Sequence, residues 1–397
     1  MRVKFAYAVS IAAAVAMLTA CGKKQDGEAG AGASAAVAAS AAPASEAIVV
    51  KIGHAAPLTG GIAHLGKDNE NGARLAVEEI NAHGLTIDGH KIDLQLDAQD
   101  DAADPKAGTA VAQKLVDDHV VAVVGHLNSG VSIPASKIYN DASIVQISPS
   151  STNPAYTQQG FKTTYRVVAT DAQQGPALAN YATKALGAKR IAVVDDATAY
   201  GKGLAEEFAK TVEANGAKIV AREATNDRAT DFRAILTKIK SVHPDAIMFG
   251  GMDATGGPFA KQAAALGIRA KILGGDGVCT DKVGELAGPA VQNLVCSEAG
   301  LALSKMDRGA DFEKKYVDRF HTPVQIYAPF TYDAVYVIVD AMKRANSIEA
   351  PKVLAAMPST DYTDRVRRQG WGDLKEGAIT LYDFKDGKKA VLDVVKM

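Results

Sequence analysis

Val120-Val121-Ala122-Val123-Val124-Gly125, followed directly by His126-Leu127-Asn128-Ser129-Gly130, is the stretch that decides the fold. A short β-branched run with no polar member, closed by glycine, reads as a strand buried on both faces. The residues behind it turn at once toward an amphipathic run that predicts a helix over Ile133–Asp141. A buried strand feeding a helix is the unit of a parallel sheet covered on both sides. The same unit recurs upstream as a strand over Ile48–Gly53, a helix over Gly72–His83, a strand over Ile92–Leu96 and a helix over Pro105–His119. Downstream, Ile144–Ile147 supplies the next strand.

A second copy of the rhythm begins after Thr170. Helices are predicted over Pro176–Leu186, Tyr200–Asn215, Phe232–Ser241 and Gly257–Leu266, alternating with strands over Arg190–Val194, Lys218–Arg222, Ala246–Gly250 and Lys271–Gly274. The fold class is therefore α/β, with two doubly wound, Rossmann-like lobes joined near Thr170. A helix from Pro329 or Thr331 to Arg344, a helix over Ala350–Met357, and strands over Thr380–Phe384 and Ala390–Val395 are shared between the lobes. The last two strands form a hairpin, because Asp386-Gly387 is a favoured turn pair.

The first 47 residues carry a different message. Arg2 and Lys4 precede an apolar run from Phe5 to Met17 that ends in Leu18-Thr19-Ala20-Cys21. Such a segment is an export signal, and its apolar core is shorter than the roughly 20 residues a bilayer demands. Leu-Thr-Ala before Cys21 resembles the lipobox of bacterial lipoproteins, which implies cleavage after residue 20 and a lipid on Cys21. An ordinary signal peptide with Cys21 as a spare thiol is the alternative. Residues 21–47 are mostly Ala, Gly and Ser and read as a flexible tether.

Lys plus Arg total 44 against 45 for Asp plus Glu, giving a net charge of −1, which argues against a nucleic-acid binder. No second apolar run is long enough to cross a membrane. The remaining cysteines, Cys279 and Cys296, most simply form one disulfide in an oxidising exported compartment. A zinc site is disfavoured, since no His lies near them. Neither a nucleophile elbow nor a phosphate-binding loop occurs. The eight histidines are scattered, and His126, just past a strand end, is the best placed of them.

Hydroxyls and carboxylates gather instead at strand ends, where open α/β sheets bind ligands. Ser129 follows one strand, and Ser148-Pro149-Ser150-Ser151-Thr152-Asn153-Pro154 follows the next. Both segments also suit turns and caps, but together they suit an anion. In the second lobe Tyr200 and Asp276 occupy equivalent positions, offering a phenol and a carboxylate. A ligand carrying a cation beside an anion fits this arrangement, and an α-amino acid is such a molecule.

Pro57-Leu58-Thr59-Gly60, Gly72-Ala73, Glu79-Ile80-Asn81, Asp100-Asp101, Asp104-Pro105, Gly125-His126-Leu127, Tyr200-Gly201 and Gly250-Gly251 together resemble the branched-chain amino-acid binding proteins of ABC transporters, of the type I periplasmic binding protein class. The resemblance implies lobes joined by a three-strand hinge, lobe 1 spanning 48–169 and 300–375 and lobe 2 spanning 170–299 and 376–397. It also implies that Ser129 and Thr152 hold a carboxylate, that Ser150 shares in holding the charged groups through its backbone, and that Tyr200 and Asp276 hold an ammonium. Leu65 and Met252 stand where relatives carry aromatics and would wall the ligand's side chain. Asp276 is one methylene shorter than the glutamate often found there. Ala103 and Asn128 replace a disulfide of some relatives. Tyr327 is a further candidate for the pocket, with Phe330 and Trp371 assigned to packing.

The implied function is capture of a free L-amino acid, branched-chain or otherwise aliphatic, for delivery to an ABC permease. The chain would be a monomeric, non-enzymatic, extracytoplasmic lipoprotein that meets the membrane only through its lipid and uses no metal or cofactor. A sensory ligand-binding component, or a carrier of amides or urea, is the alternative.

Overall fold

A strand rich in β-branched residues opens the body of the chain, which in this computed structural model is described over residues 46–359 and 377–396. The leader, Cys21, nearly all of the tether, and Trp371 lie outside the described residues. The first sheet uses β1 (Ile48–Ala56), β2 (Leu85–Ile87), β3 (His90–Asp100), β4 (Ala122–Gly125), β5 (Val145–Ser148) and β6 (Thr164–Arg166) in the order β2-β3-β1-β4-β5-β6. All neighbours are parallel except β2 with β3. Between these strands run α1 (Ala63–His83), α2 (Pro105–Asp117) and α3 (Ser129–Asp141).

The second sheet draws on β7 (Arg190–Asp195), β8 (Lys218–Ala224), β9 (Ala246–Gly250), β10 (Lys271–Gly274), β11 (Leu294–Glu298), β12 (Ala378–Lys385) and β13 (Lys388–Lys396). Its order is β13-β12-β11-β10-β9-β7-β8, parallel from β8 to β11 and antiparallel through the closing hairpin. The hairpin turns at Asp386 and Gly387, both at positive φ. Helices α4 (Asp171–Asn180), α5 (Ala199–Ala214), α6 (Arg233–Ser241), α7 (Asp253–Ala265) and α8 (Asp281–Ala287) accompany this sheet. The chain then returns through α9 (Gly309–Phe320), α10 (Ala328–Ala345) and α11 (Ala350–Ala356), which pack on α1, β4 and β5 of the first half.

Three segments pass between the halves side by side. Ala169 donates its N–H to Ala299 O at 2.9 Å, and the Thr380 hydroxyl donates to Gly300 O at 2.8 Å while accepting from Ala302 N–H at 3.0 Å. Cys279 and Cys296 are joined by a disulfide that ties the turn after β10 to β11.

Four helices start four or more residues ahead of the sequence expectation: α3 begins at Ser129 rather than Ile133 and α7 at Asp253 rather than Gly257, each with a polar first turn, and α1 and α4 differ most. α1 begins at Ala63 rather than Gly72, because its first turns bury polar residues, Asp68, Asn69 and Glu70 among them, which carry no apolar period. Asp68 takes the backbone N–H groups of Gln325, Ile326, Tyr327 and Ala328 at 2.7–3.1 Å, capping α10 from outside that helix. Gly72 then lets α1 approach α10 closely, since a Cβ there would lie 2.3 Å from Ala328 O. α4 begins at Asp171 rather than Pro176. Thr170 and Gln173 form a capping box, with Thr170 N–H donating to Gln173 Oε1 at 2.9 Å.

Candidate functional site

The carboxyl ends of β1, β4 and β5 in one sheet, and of β7, β9 and β10 in the other, contribute the loops that carry most of the candidate residues. β1 lies between β3 and β4, and β7 between β8 and β9, so each set flanks a point where the strand order reverses.

The hydroxyl side is built first by serines. The carbonyl of His126 accepts from the hydroxyls of Ser132 at 3.0 Å, Ser148 at 2.8 Å and Ser151 at 3.3 Å. His126 itself bridges Asp101 at 2.7 Å and Tyr139 at 3.1 Å, all three buried, so this histidine braces the loop from beneath. Arg166, buried at the end of β6, clamps the second loop through Ser151 O at 2.6 Å, Asn153 O at 2.9 Å and the Thr157 hydroxyl at 2.9 Å. The Ser129 hydroxyl accepts from Asn153 N–H at 3.2 Å, and Asn69 of α1 reaches Ser150 Oγ at 3.4 Å. Leu65, fully buried, lies one turn before Asn69 on the same face of α1. Asn153 also donates to Ala199 O at 2.6 Å, linking this loop to the start of α5.

The carboxyl side converges on Asp276. Its Oδ1 accepts from Tyr200 OH and Gln174 Nε2, each at 2.9 Å, and its Oδ2 accepts from Tyr327 OH at 2.8 Å. Tyr200 OH in turn accepts from Gly277 N–H at 3.0 Å. Tyr327 comes from the start of α10, so the two halves meet at one carboxyl group. Met252 packs beside this cluster, its sulfur 2.5 Å from where a Cβ on Gly277 would sit. Burial pushes the Asp276 carboxyl up, opposed by the bonds from Gln174, Tyr327 and Tyr200. Burial and the neighbouring Asp276 raise both tyrosines well above their ordinary range.

Tyr200, Asp276 and Tyr327 are thus brought together directly, with Met252 against them. Ser129, Ser150 and Thr152 share the braced loops. Leu65 reaches the group only through its place beside Asn69.

Asp171 and Gln174 were not anticipated from the sequence. Asp171 is fully buried, and neither of its carboxyl oxygens has a hydrogen-bond partner. Thr152 lies beside it, yet the buried Thr152 hydroxyl makes no hydrogen bond of ordinary geometry either. Desolvation first, and the Asp276 charge next, push the Asp171 carboxyl up to about 8, while Thr152 and Arg166 pull the other way. Gln174 spans Asp276 and the Ser297 hydroxyl, which donates to Gln174 Oε1 at 2.7 Å. The Thr170 to Gln173 capping box was the available signal for both, since it starts the helix five residues earlier.

Two sheets each covered by helices, loops from both meeting at strand ends, and bare buried polar groups between them define a two-lobed binder of a small polar solute. A family described as periplasmic binding protein matches residues 49–378. The "Leu/Ile/Val-binding protein homolog 1" of Brucella melitensis is 37% identical over 85% of this chain and 91% of its own length. The "Leucine-, isoleucine-, valine-, threonine-, and alanine-binding protein" of Pseudomonas aeruginosa is 32% identical, over 85% and 90% respectively. Among solved structures, the leucine binding protein LivK of Thermotoga maritima superposes with a TM-score of 0.80 at 28% identity, covering 87% of this chain and 98% of that one. LivJ of Streptococcus pneumoniae, in complex with isoleucine, gives 0.80 at 27% identity, covering 88% and 100%. The chain belongs to the periplasmic binding protein family, whose members bind solutes for transporters.

Proposed function

We propose that this chain is a solute-binding lipoprotein that captures a free α-amino acid of small or branched aliphatic shape and delivers it to an ABC permease. The observation that carries the reading is the placement of bare hydroxyl and carboxyl groups side by side, Thr152 against Asp171, next to the Asp276 cluster. Ser129, Thr152 and the backbone at Ser150 receive the ligand carboxylate, and Asp171, Asp276 and Tyr200 receive its ammonium. Leu65, Met252 and the ring of Tyr327 enclose the side chain. The printed names of the relatives, which include leucine, isoleucine, valine, threonine and alanine, support this ligand class.

Lobe 1 comprises 48–169 with 300–375 and lobe 2 comprises 170–299 with 376–397. Each supplies one side of the ligand, so closure is driven by a solute that touches both. Cys21 carries the lipid, residues 21–47 tether the body, and the protein acts as a monomer outside the cytoplasm.

The test is thermal unfolding of the full chain, freed of carried ligand, against the common amino acids, simple amides and urea. Ligand at a hundred times its dissociation constant stabilises by about 2.7 kcal/mol, a readily measured shift. A rise confined to amino acids whose side chains are of leucine's size or smaller is expected. A rise with amides or urea alone, or with nothing, overturns the reading.

A pH dependence follows from Asp171. Its carboxyl titrates near 8 when buried, against an ordinary 3.8, so its contribution to stability is fully present below about pH 4 and lost as pH rises toward 8. An ammonium beside it favours the ionised form. Binding at pH 7 therefore releases a proton, and affinity rises between pH 6 and 8. Calorimetric titration in phosphate and in Tris reads this as a buffer-dependent enthalpy; equal enthalpies would contradict it.

A further inference from the structure

A third polar group belongs to neither the hydroxyl loops nor the Asp276 cluster. Asp253 opens α7 directly after Met252 and is fully buried. Its two oxygens are treated unequally. Oδ2 meets His64 Nε2 at 2.6 Å and accepts from the Thr280 hydroxyl at 2.6 Å, whereas Oδ1 has no hydrogen-bond partner. His64 precedes Leu65 on α1, and Thr280 lies three residues beyond Gly277, so the group draws on both sheets' elements. Gly61 and Ala254 close the same seam, a Cβ on Gly61 falling 3.4 Å from the Ala254 methyl.

The order of groups along the cleft follows from their contacts. Asp171 N–H donates to Thr152 O at 2.8 Å, Gln174 one turn further along α4 donates to Asp276, and Met252, which packs against Gly277, leads directly into Asp253. Thr152 and Asp171 thus stand at one end, Asp276 with its tyrosines in the middle, and Asp253 beyond them beside Met252. A zwitterion held by the first two sets directs its side chain toward the third.

We propose that Asp253 determines side-chain specificity: its free Oδ1 accepts a hydrogen bond from the ligand's side chain, so among amino acids of equal shape the one bearing a hydroxyl or amide N–H is held more tightly. The inference rests on the amino-acid reading above. His64 and Thr280 fix the carboxylate through its other oxygen, leaving Oδ1 aimed by the bonds its partner makes. An apolar side chain would leave that oxygen bare inside a dry pocket, a penalty that a donor removes.

The experiment is calorimetric titration of the full chain with two near-isosteric pairs, threonine against valine and asparagine against leucine. In the wild-type chain the donor-bearing member of at least one pair is expected to bind about tenfold or more tightly than its partner. Asp253→Ala should bring that ratio to about one or below, and Asp253→Asn serves if the alanine variant does not fold. Tighter binding of valine and leucine in both pairs, or a ratio unmoved by the substitution, overturns the role of Asp253 while leaving amino-acid capture intact. Failure of every amino acid to bind defeats the broader reading and this one with it.

Discussion

Replacing Asp276 by alanine lowers affinity for the best amino acid by two to three orders of magnitude. Removing one partner of a buried, hydrogen-bonded charge pair costs about 2–5 kcal/mol, because the surviving partner stays desolvated without compensation. On the proposed reading the deletion strips the ligand ammonium of a carboxylate, and it also leaves Tyr200, Tyr327 and Gln174 without the acceptor they share. Asp171 remains nearby, which keeps the loss from being total. Asp276→Asn retains the shape and an acceptor oxygen, so its loss is smaller than that of the alanine variant. Titration calorimetry on both variants measures the series. A loss below tenfold for the alanine variant would move the ammonium site to Asp171 alone.

Asp68→Ala is the substitution expected to cost most in stability, about 3–5 kcal/mol. The carboxylate satisfies four successive backbone N–H groups, Gln325 to Ala328, and accepts from Tyr316 OH at 3.1 Å. Alanine offers none of these bonds, and each buried donor left alone costs about 1–3 kcal/mol before relaxation. The midpoint of urea unfolding reads the effect. Because Tyr327 is one of the four, its phenol also loses its aim at Asp276, and amino-acid affinity should fall in the same variant. A variant that unfolds at the wild-type midpoint would show that other groups or water take over the cap.

Much of this architecture was legible from the chain. Ala246–Gly250 and Lys271–Gly274 are strands to the residue, since apolar runs closed by glycine leave little choice of boundary. β2 and β6 span three residues each, too short for any period to register. β11 hides behind Cys296, Ser297 and Glu298, whose polar atoms are satisfied by distant partners such as Gln174, Tyr382 and Lys389. α9 carries its apolar face as Phe312, Tyr316 and Phe320, a stripe four residues apart set among charges.

The candidate site divides along the same line. The hydroxyl loops and Asp276 were readable because position after a strand is itself the signal. Asp171, Gln174 and the pair of His64 with Asp253 were not. A polar residue in the first turns of a helix looks like a cap, and only folding shows that Gln174 meets a partner 102 residues away, or His64 one 189 residues away.

The three segments that cross between the halves have a mechanical consequence. The Thr380 hydroxyl staples Gly300 and Ala302 to its own strand, and Ala169 is bonded to Ala299, so the crossings form a ribbon rather than three independent cords. A ribbon bends easily across its width but resists twist and shear, which would break those bonds. On the proposed closing motion, such a ribbon favours bending over twist and shear, which keeps Tyr327 and Asp276 in one register.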